Sequence, residues 1–153
     1  AVLLAGCSDT TPYRPAVRGE GYRDQQVAAG RYQVTFIGNT VTDQQTVEEY
    51  MLYRAAEITV KAGKDRFTIL EKDVERITSE QVIFEGRSGR GQTDGDRALG
   101  RDDSFSRPVH RFRAAAVIQV TGGEGPAPDG VRTFDARAVM ARLSPKVGSA
   151  SRS

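Results

Sequence analysis

The chain of 153 residues contains no tryptophan, one cysteine and one histidine. A lone cysteine cannot close an internal disulfide, so packing alone has to hold the fold. Structural zinc takes about four ligands, which excludes a Cys/His metal site on count. Long apolar runs are also missing, and none approaches the roughly 20 residues that cross a bilayer as a helix. Nor does one sign of charge dominate. The 22 basic and 20 acidic residues are interspersed, for a net charge of +2. A nucleic-acid-binding domain concentrates its basic residues on one face, so nucleic acid is set aside as a partner. What is present, 38% hydrophobic and 27% charged residues, is the composition of a globular domain, and the length suits a single one.

The one cysteine, Cys7, stands behind the apolar run "AVLLAG" and ahead of the polar "SDTTPYRP". Residues 1–6 read as the remnant of a secretory signal, the end of its apolar region with a small-residue cleavage site. Leu4-Ala5-Gly6-Cys7 matches the bacterial lipobox, Leu-(Ala/Ser)-(Gly/Ala)-Cys. In such signals the thiol receives a diacylglyceryl group, the chain is cut before the cysteine, and the new amine is acylated. Each buried methylene contributes about 0.8 kcal/mol, so several acyl chains hold where one would leak. Cys7 is therefore expected to carry lipid and to anchor a periplasm-facing domain to the membrane. Ser8, where an aspartate would favour inner-membrane retention, favours the outer membrane. The plain alternative is a cysteine met by chance in a frayed terminus, and the abrupt change of character at Cys7 counts against it. Residues 7–30 are then the lipidated cysteine and a polar linker, within which "GEGYRDQQVAAG" (19–30) reads as a lead-in loop or irregular edge.

Beyond the linker, "RYQVTFIG" alternates Tyr32, Val34 and Phe36 with polar residues, a strand stopped by Gly38-Asn39. Thr42 with Gln45 resembles a capping box, and Val47, Met51, Ala55, Ile58 and Ala62 recur on one helical face. Gly63 is placed to end that helix. "RFTILE" and "EQVIFEG" read as two separate strands around a charged stretch at 73–78. Residues 86–107, rich in glycine, arginine and aspartate, read as a flexible loop. "VHRFRAAAVIQV" reads as a central strand, apolar on both faces in its second half. Residues 131–134 make a further strand, and Asp135 caps a short helix that Pro145 ends. The expected domain runs over 31–143, followed by a tail at 144–153. Its fold class is α+β: a mixed, mainly antiparallel sheet of about five strands, one long helix on one face and a short C-terminal helix.

Tyr32, Val34, Phe36, Gly38 and Asn39, the run Leu52-Tyr53-Arg54-Ala55-Ala56-Glu57-Ile58-Thr59, and then Gly63, Asp65 and Phe67 resemble a family of small alphaproteobacterial lipoproteins of uncharacterised function. "HRFRAAAVIQV" and the Phe134-Asp135-Ala136-Arg137 segment resemble its closing elements. Two positions depart from the pattern: Lys64 stands where the family has tyrosine, and the middle loop lacks the family's Trp/Tyr richness. The resemblance implies envelope localisation and this fold, and no catalytic residue.

Candidate chemistry is sparse. Arg54 and Glu57 suit either a ligand contact where helix meets sheet or an i,i+3 ion pair. Arg107, Arg111 and Arg113 share one strand face, suited to headgroup phosphates or to a solvated, aggregation-resistant edge. His110 has no nucleophile motif around it, so a general-base role lacks support. Glu48-Glu49 point to different sides of a helix, a poor acid/base pair. Asp102-Asp103 fall in the loop, and "GRSGRG" lacks the Lys-Ser/Thr of a phosphate-binding loop. These observations suggest no enzyme and call for no cofactor. They suggest a lipid-anchored structural, assembly or protein-interaction module with an envelope protein as partner. The alternative is a small-molecule or lipid-binding module with its pocket between helix and sheet.

Overall fold

In the computed structural model of the chain, which describes residues 9–84, 104–122 and 132–150, the centre is strand β4 (Ser104–Thr121). Numbering the strands in chain order, β1 is Gly21–Ala28, β2 Arg31–Ile37, β3 Arg66–Phe84 and β5 Arg132–Asp135. They lie in the order β1-β2-β4-β3-β5, and every neighbouring pair is antiparallel. Helices α1 (Gln44–Lys61) and α2 (Ala136–Ala150) complete an α+β fold. The core forms where α1 lies on the sheet. Val34 and Phe36 of β2, Phe67 of β3, and Ala114, Ala116, Ile118 and Val120 of β4 are buried. They meet Val47, Met51, Ala55 and Ile58 of α1. Alanines at 114 and 116 leave room for the helix backbone to approach, while Phe36, Phe67 and Met51 fill the flanks.

The chain is already folded well before Arg31, so residues 9–30 are not a linker. Thr11 is 1% exposed, its N–H donates to Thr42 Oγ1 at 2.8 Å, and its hydroxyl accepts from the Asn39 N–H at 2.7 Å. Residues 21–28, expected to be irregular, form β1, paired from Gly21↔Ile37 to Ala28↔Arg31. The strand is polar because it is an edge that presents little to the core. Its start demands glycine: Gly21 has φ +117°, and a Cβ there would lie 2.5 Å from the Arg14 carbonyl oxygen.

Other boundaries differ for similar reasons. Asp43, not Thr42, caps α1 and accepts from the Thr46 N–H at 2.8 Å; the Thr42 hydroxyl is taken up by Thr11 and by Asn39 Oδ1. At the other end Gly63 stands one place beyond the C-cap Ala62, at φ +72°. There Gly63 N–H donates to Val60 O and Lys64 N–H to Thr59 O, a Schellman ending. The two strands expected around 73–78 are one, since β3 pairs with β4 without interruption through the charged stretch. Residues 104–107, expected to belong to the loop, are in β4, and the rest of that loop, 86–103, falls outside the described residues. Pro145 does not end α2, which runs on to Ala150. Past the proline, Lys146 Nζ bonds Glu49 at 2.8 Å and Val147 packs on the core, so contacts with α1 replace the lost backbone bond. Asp135 does cap α2, accepting from the Ala138 N–H at 2.9 Å.

One feature exceeds the needs of a core. β2 covers β4 only from Arg113 to Gln119, and β5 covers β3 only from Arg66 to Ile69. From Arg76↔Phe112 to Phe84↔Ser104, nine paired positions continue as a two-stranded ribbon, about 30 Å long at the usual rise per residue.

The Asp43 cap makes a pH-dependent contribution. Its hydrogen bonds to Thr46 hold the carboxyl below the ordinary range. A lowered folded-state pKa means the stabilisation is present above the unfolded pKa, about 3.9, and is lost as pH falls through the folded value. Asp43→Ala should cost about 1 kcal/mol in urea unfolding at neutral pH, and the gap between variant and parent should close as the pH approaches about 2.

Candidate functional site

Two places gather side chains, on opposite flanks of α1. On the first, the N-terminal half of the helix stands off from β3 and β5 and leaves a groove of about 450 Å³. Met51, Leu52, Ile69 and Phe134 floor it, and Glu48, Glu49, Lys72 and Arg132 stand at its rim. The floor follows from the register. Ile69 lies across from Arg132, and Phe67 across from Phe134, with the two phenylalanine rings stacked 5.4 Å apart. Leu52 sits beside the buried stripe of α1 and reaches the open side.

The rim is electrostatically satisfied on the helix side. Lys72 Nζ donates to Glu48, and Gln44 Nε2 does so at 2.9 Å; together they hold the Glu48 carboxyl below its ordinary range. Burial pushes Glu49 upward, but Lys146 and Gln45 outweigh it and its pKa is lowered too. Both carboxylates are thus kept ionised. A proton-transfer couple needs two groups pushed apart, one up and one down, so the arrangement suits binding better than acid/base chemistry. Arg132 is exposed at the mouth. An apolar floor, polar groups confined to the rim and a volume of this size match a small-ligand site.

On the other flank, toward β1, Arg54 and Glu57 are brought together as their spacing suggests, in an ion pair of 3.5 Å. The stronger bond is one the spacing does not show: Arg54 Nε donates to Asp24 Oδ1 of β1 at 2.8 Å. The guanidinium also lies 4.3 Å over the Tyr22 ring, and its side chain is only 11% exposed. Burial alone would lower the Arg54 pKa; the bond and charge of Asp24 outweigh it and hold it above the ordinary value. Glu57 in turn accepts from the Tyr13 hydroxyl. The Tyr13 ring packs on Tyr22, Tyr53 and Tyr50, with centroids 4.9, 5.0 and 5.7 Å away. Burial, then Glu57, push the Tyr13 hydroxyl far above the ordinary tyrosine range. Arg54 and Glu57 are therefore engaged in clamping residues 9–24 onto α1. Tyr13 and Asp24 were missed because each sits in a polar stretch; the tyrosine between two prolines, "PYRP", was the one available signal.

Arg111 and Arg113 lie elsewhere, on the sheet face turned away from α1. Arg113 Nη1 donates to Glu75 at 2.9 Å, with Asp73 at 4.0 Å. Arg111 stands across from Ile77 and Arg107 across from Gln81, so the three arginines do share a face. Arg111 Nε is out of solvent with no acceptor among the described residues. His110, on the other face, is exposed with Nδ1 3.0 Å from Thr78 Oγ1. Cys7 falls outside the described residues. Among the described residues, no group of three or more His, Cys, Asp or Glu side chains could hold a metal ion. Compared with known proteins, the chain matches no family model, no curated protein and no solved structure.

If Arg54 acts as a clamp, Arg54→Ala should destabilise the fold by about 2–3 kcal/mol, since Asp24 and Glu57 lose their counter-charge. Tyr13→Phe keeps the ring packing and should cost only about 1 kcal/mol. Denaturant midpoints of the two variants check both figures, and equal costs would show that packing, not the charge network, holds the segment.

Proposed function

We propose that this chain is a lipid-anchored, periplasm-facing lipoprotein domain of the cell envelope, non-catalytic, that works by binding a protein partner at the membrane. The observation that carries the reading is the position of the first described residues relative to Cys7. Asp9, two residues on, is already tied by its carbonyl oxygen to Asn39 Nδ2 at 2.7 Å, and Thr11 is buried. A lipid on Cys7 would hold such a domain against the bilayer instead of letting it range on a leash, which suits a component fixed at an assembly. The lipobox residues Leu4-Ala5-Gly6-Cys7 supply the chemical reason for the anchor, and Ser8 favours the outer membrane. The ion-paired rim of the groove and the engaged Arg54–Glu57 pair support a binding role over catalysis.

A second reading is favoured by the groove itself: a small molecule or lipid held between helix and sheet. Its floor is apolar and its volume, about 450 Å³, is that of a small-ligand site.

Cys7→Ala should move the protein from the membrane fraction to the soluble fraction of cells, and continued tight membrane association would sink the anchor. Crosslinking of intact cells should recover one partner with the anchored form and not with Cys7→Ala. For the second reading, Leu52→Trp fills the groove and should abolish binding of a fluorescent fatty acid, with the unfolding midpoint little changed; no binding by the parent would dismiss the ligand.

A further inference from the structure

The ribbon formed by the ends of β3 and β4 serves the core only at its base, through Phe112, and its chemistry is uneven between its two faces. One face carries Arg107, Val109 and Arg111 from β4 and Ile77, Ser79 and Gln81 from β3, paired as Ile77↔Arg111, Ser79↔Val109 and Gln81↔Arg107. No carboxylate interrupts it; the single ribbon glutamate among the described side chains, Glu80, stands across from Pro108 on the other face. Arg107 is exposed. The Arg111 Nε lacks an acceptor among the described residues. Val82, on the other face, is 51% exposed. Arg113, at the base, is already committed to Glu75 and does not belong to the free set.

The ribbon also leaves the molecule at a particular end. β2 runs out at Ile37, opposite Arg113, and the next residue, Gly38, donates its N–H to Phe112 O at 3.0 Å. Asn39, one further, holds the Asp9 carbonyl. The first described residue is therefore moored at the ribbon's base, and Cys7 lies within about 7 Å of it by chain length. The ribbon continues past this point for about 30 Å.

We propose that the ribbon is a membrane-contacting arm, whose Arg107 and Arg111 face binds the anionic headgroups of the bilayer that holds the anchor. The direction of the arm rests on reading Cys7 as the lipid-bearing residue; its affinity for an anionic surface does not. A domain moored at the ribbon's base cannot stand upright on its anchor without driving the arm toward the lipid. The arm therefore lies along the headgroups and gives the domain one orientation. Guanidinium groups suit phosphates by their forked donors, and each cation at an anionic surface strengthens binding about fivefold.

The test uses the chain carrying Cys7→Ala, so that no acyl group contributes, and vesicles of phosphatidylethanolamine with phosphatidylglycerol or of phosphatidylcholine alone. Co-sedimentation should occur with the anionic vesicles only and weaken with added salt. Arg107→Gln with Arg111→Gln should weaken it about thirtyfold, while Lys64→Gln at the opposite end should leave it unchanged. Because the chain has no tryptophan, Ser79→Trp, exposed on the arginine face across from Val109, gives a reporter independent of the charge variants. Its fluorescence should shift to the blue with anionic vesicles, and that of Val27→Trp, at the far end of β1, should not. Equal shifts at both positions, no binding, or a ribbon that instead pairs two copies into a dimer would overturn the proposal. Fractionation of the Cys7→Ala cells reports separately on the anchor, so either idea can fail without the other.

Discussion

A small knot of hydrogen bonds decides how this molecule presents itself. Thr11, Asn39 and Thr42 bond one another, and Asn39 also holds Asp9. Together with the Tyr13–Glu57 bond and the Arg54–Asp24 pair, the knot turns an apparently loose leader into part of the fold. Thr42 is 2% exposed, so its hydroxyl has no water to fall back on, and loss of the Thr11 N–H would leave a buried group with one partner fewer. The same residues place the start of the chain at one end of the sheet, beside the turn from β2 into α1. Whatever attaches at Cys7 therefore attaches to a defined side of the domain.

The rest of the architecture divides its work along α1. Its buried stripe makes the core with β2 and β4. One flank takes the tyrosine cluster and the arginine clamp, which are saturated by the protein's own groups. The other flank stands away from β3 and β5, leaving the open groove whose rim charges are paired at Glu48 and Glu49. The Arg54 flank bears a concavity too, of about 630 Å³, but Arg54 there is paired with Asp24 and Glu57, whereas the floor of the groove is apolar. The groove is therefore the better fit to an apolar ligand. The ribbon answers a different need, since a core of this size requires neither its length nor its basic face.

Periodicity made much of the fold legible. The alternation of Tyr32, Val34 and Phe36, the stripe from Val47 to Ile58, the apolar run after Phe112 and the Asp135 cap all report a local relation between a residue and its own element. What stayed hidden depends on distant partners. β1 is a strand because β2 lies beside it, and α2 survives Pro145 because Glu49 and the core hold Lys146 and Val147. β3 passes through charged residues unbroken because β4 supplies its backbone bonds and the side chains of Asp73, Glu75 and Arg76 stay exposed. At the candidate sites, the Arg54–Glu57 spacing was readable, whereas Asp24, Tyr13 and the groove arise from tertiary packing that no spacing encodes.

The account depends most on the chemistry of Cys7. Mass spectrometry of the N-terminal peptide of the mature protein, purified from its native cells, examines it directly. The account predicts a peptide that begins at Cys7 and carries a diacylglyceryl group with an acylated amine. A peptide that continues unbroken through Leu4-Ala5-Gly6-Cys7 with a free thiol would contradict it.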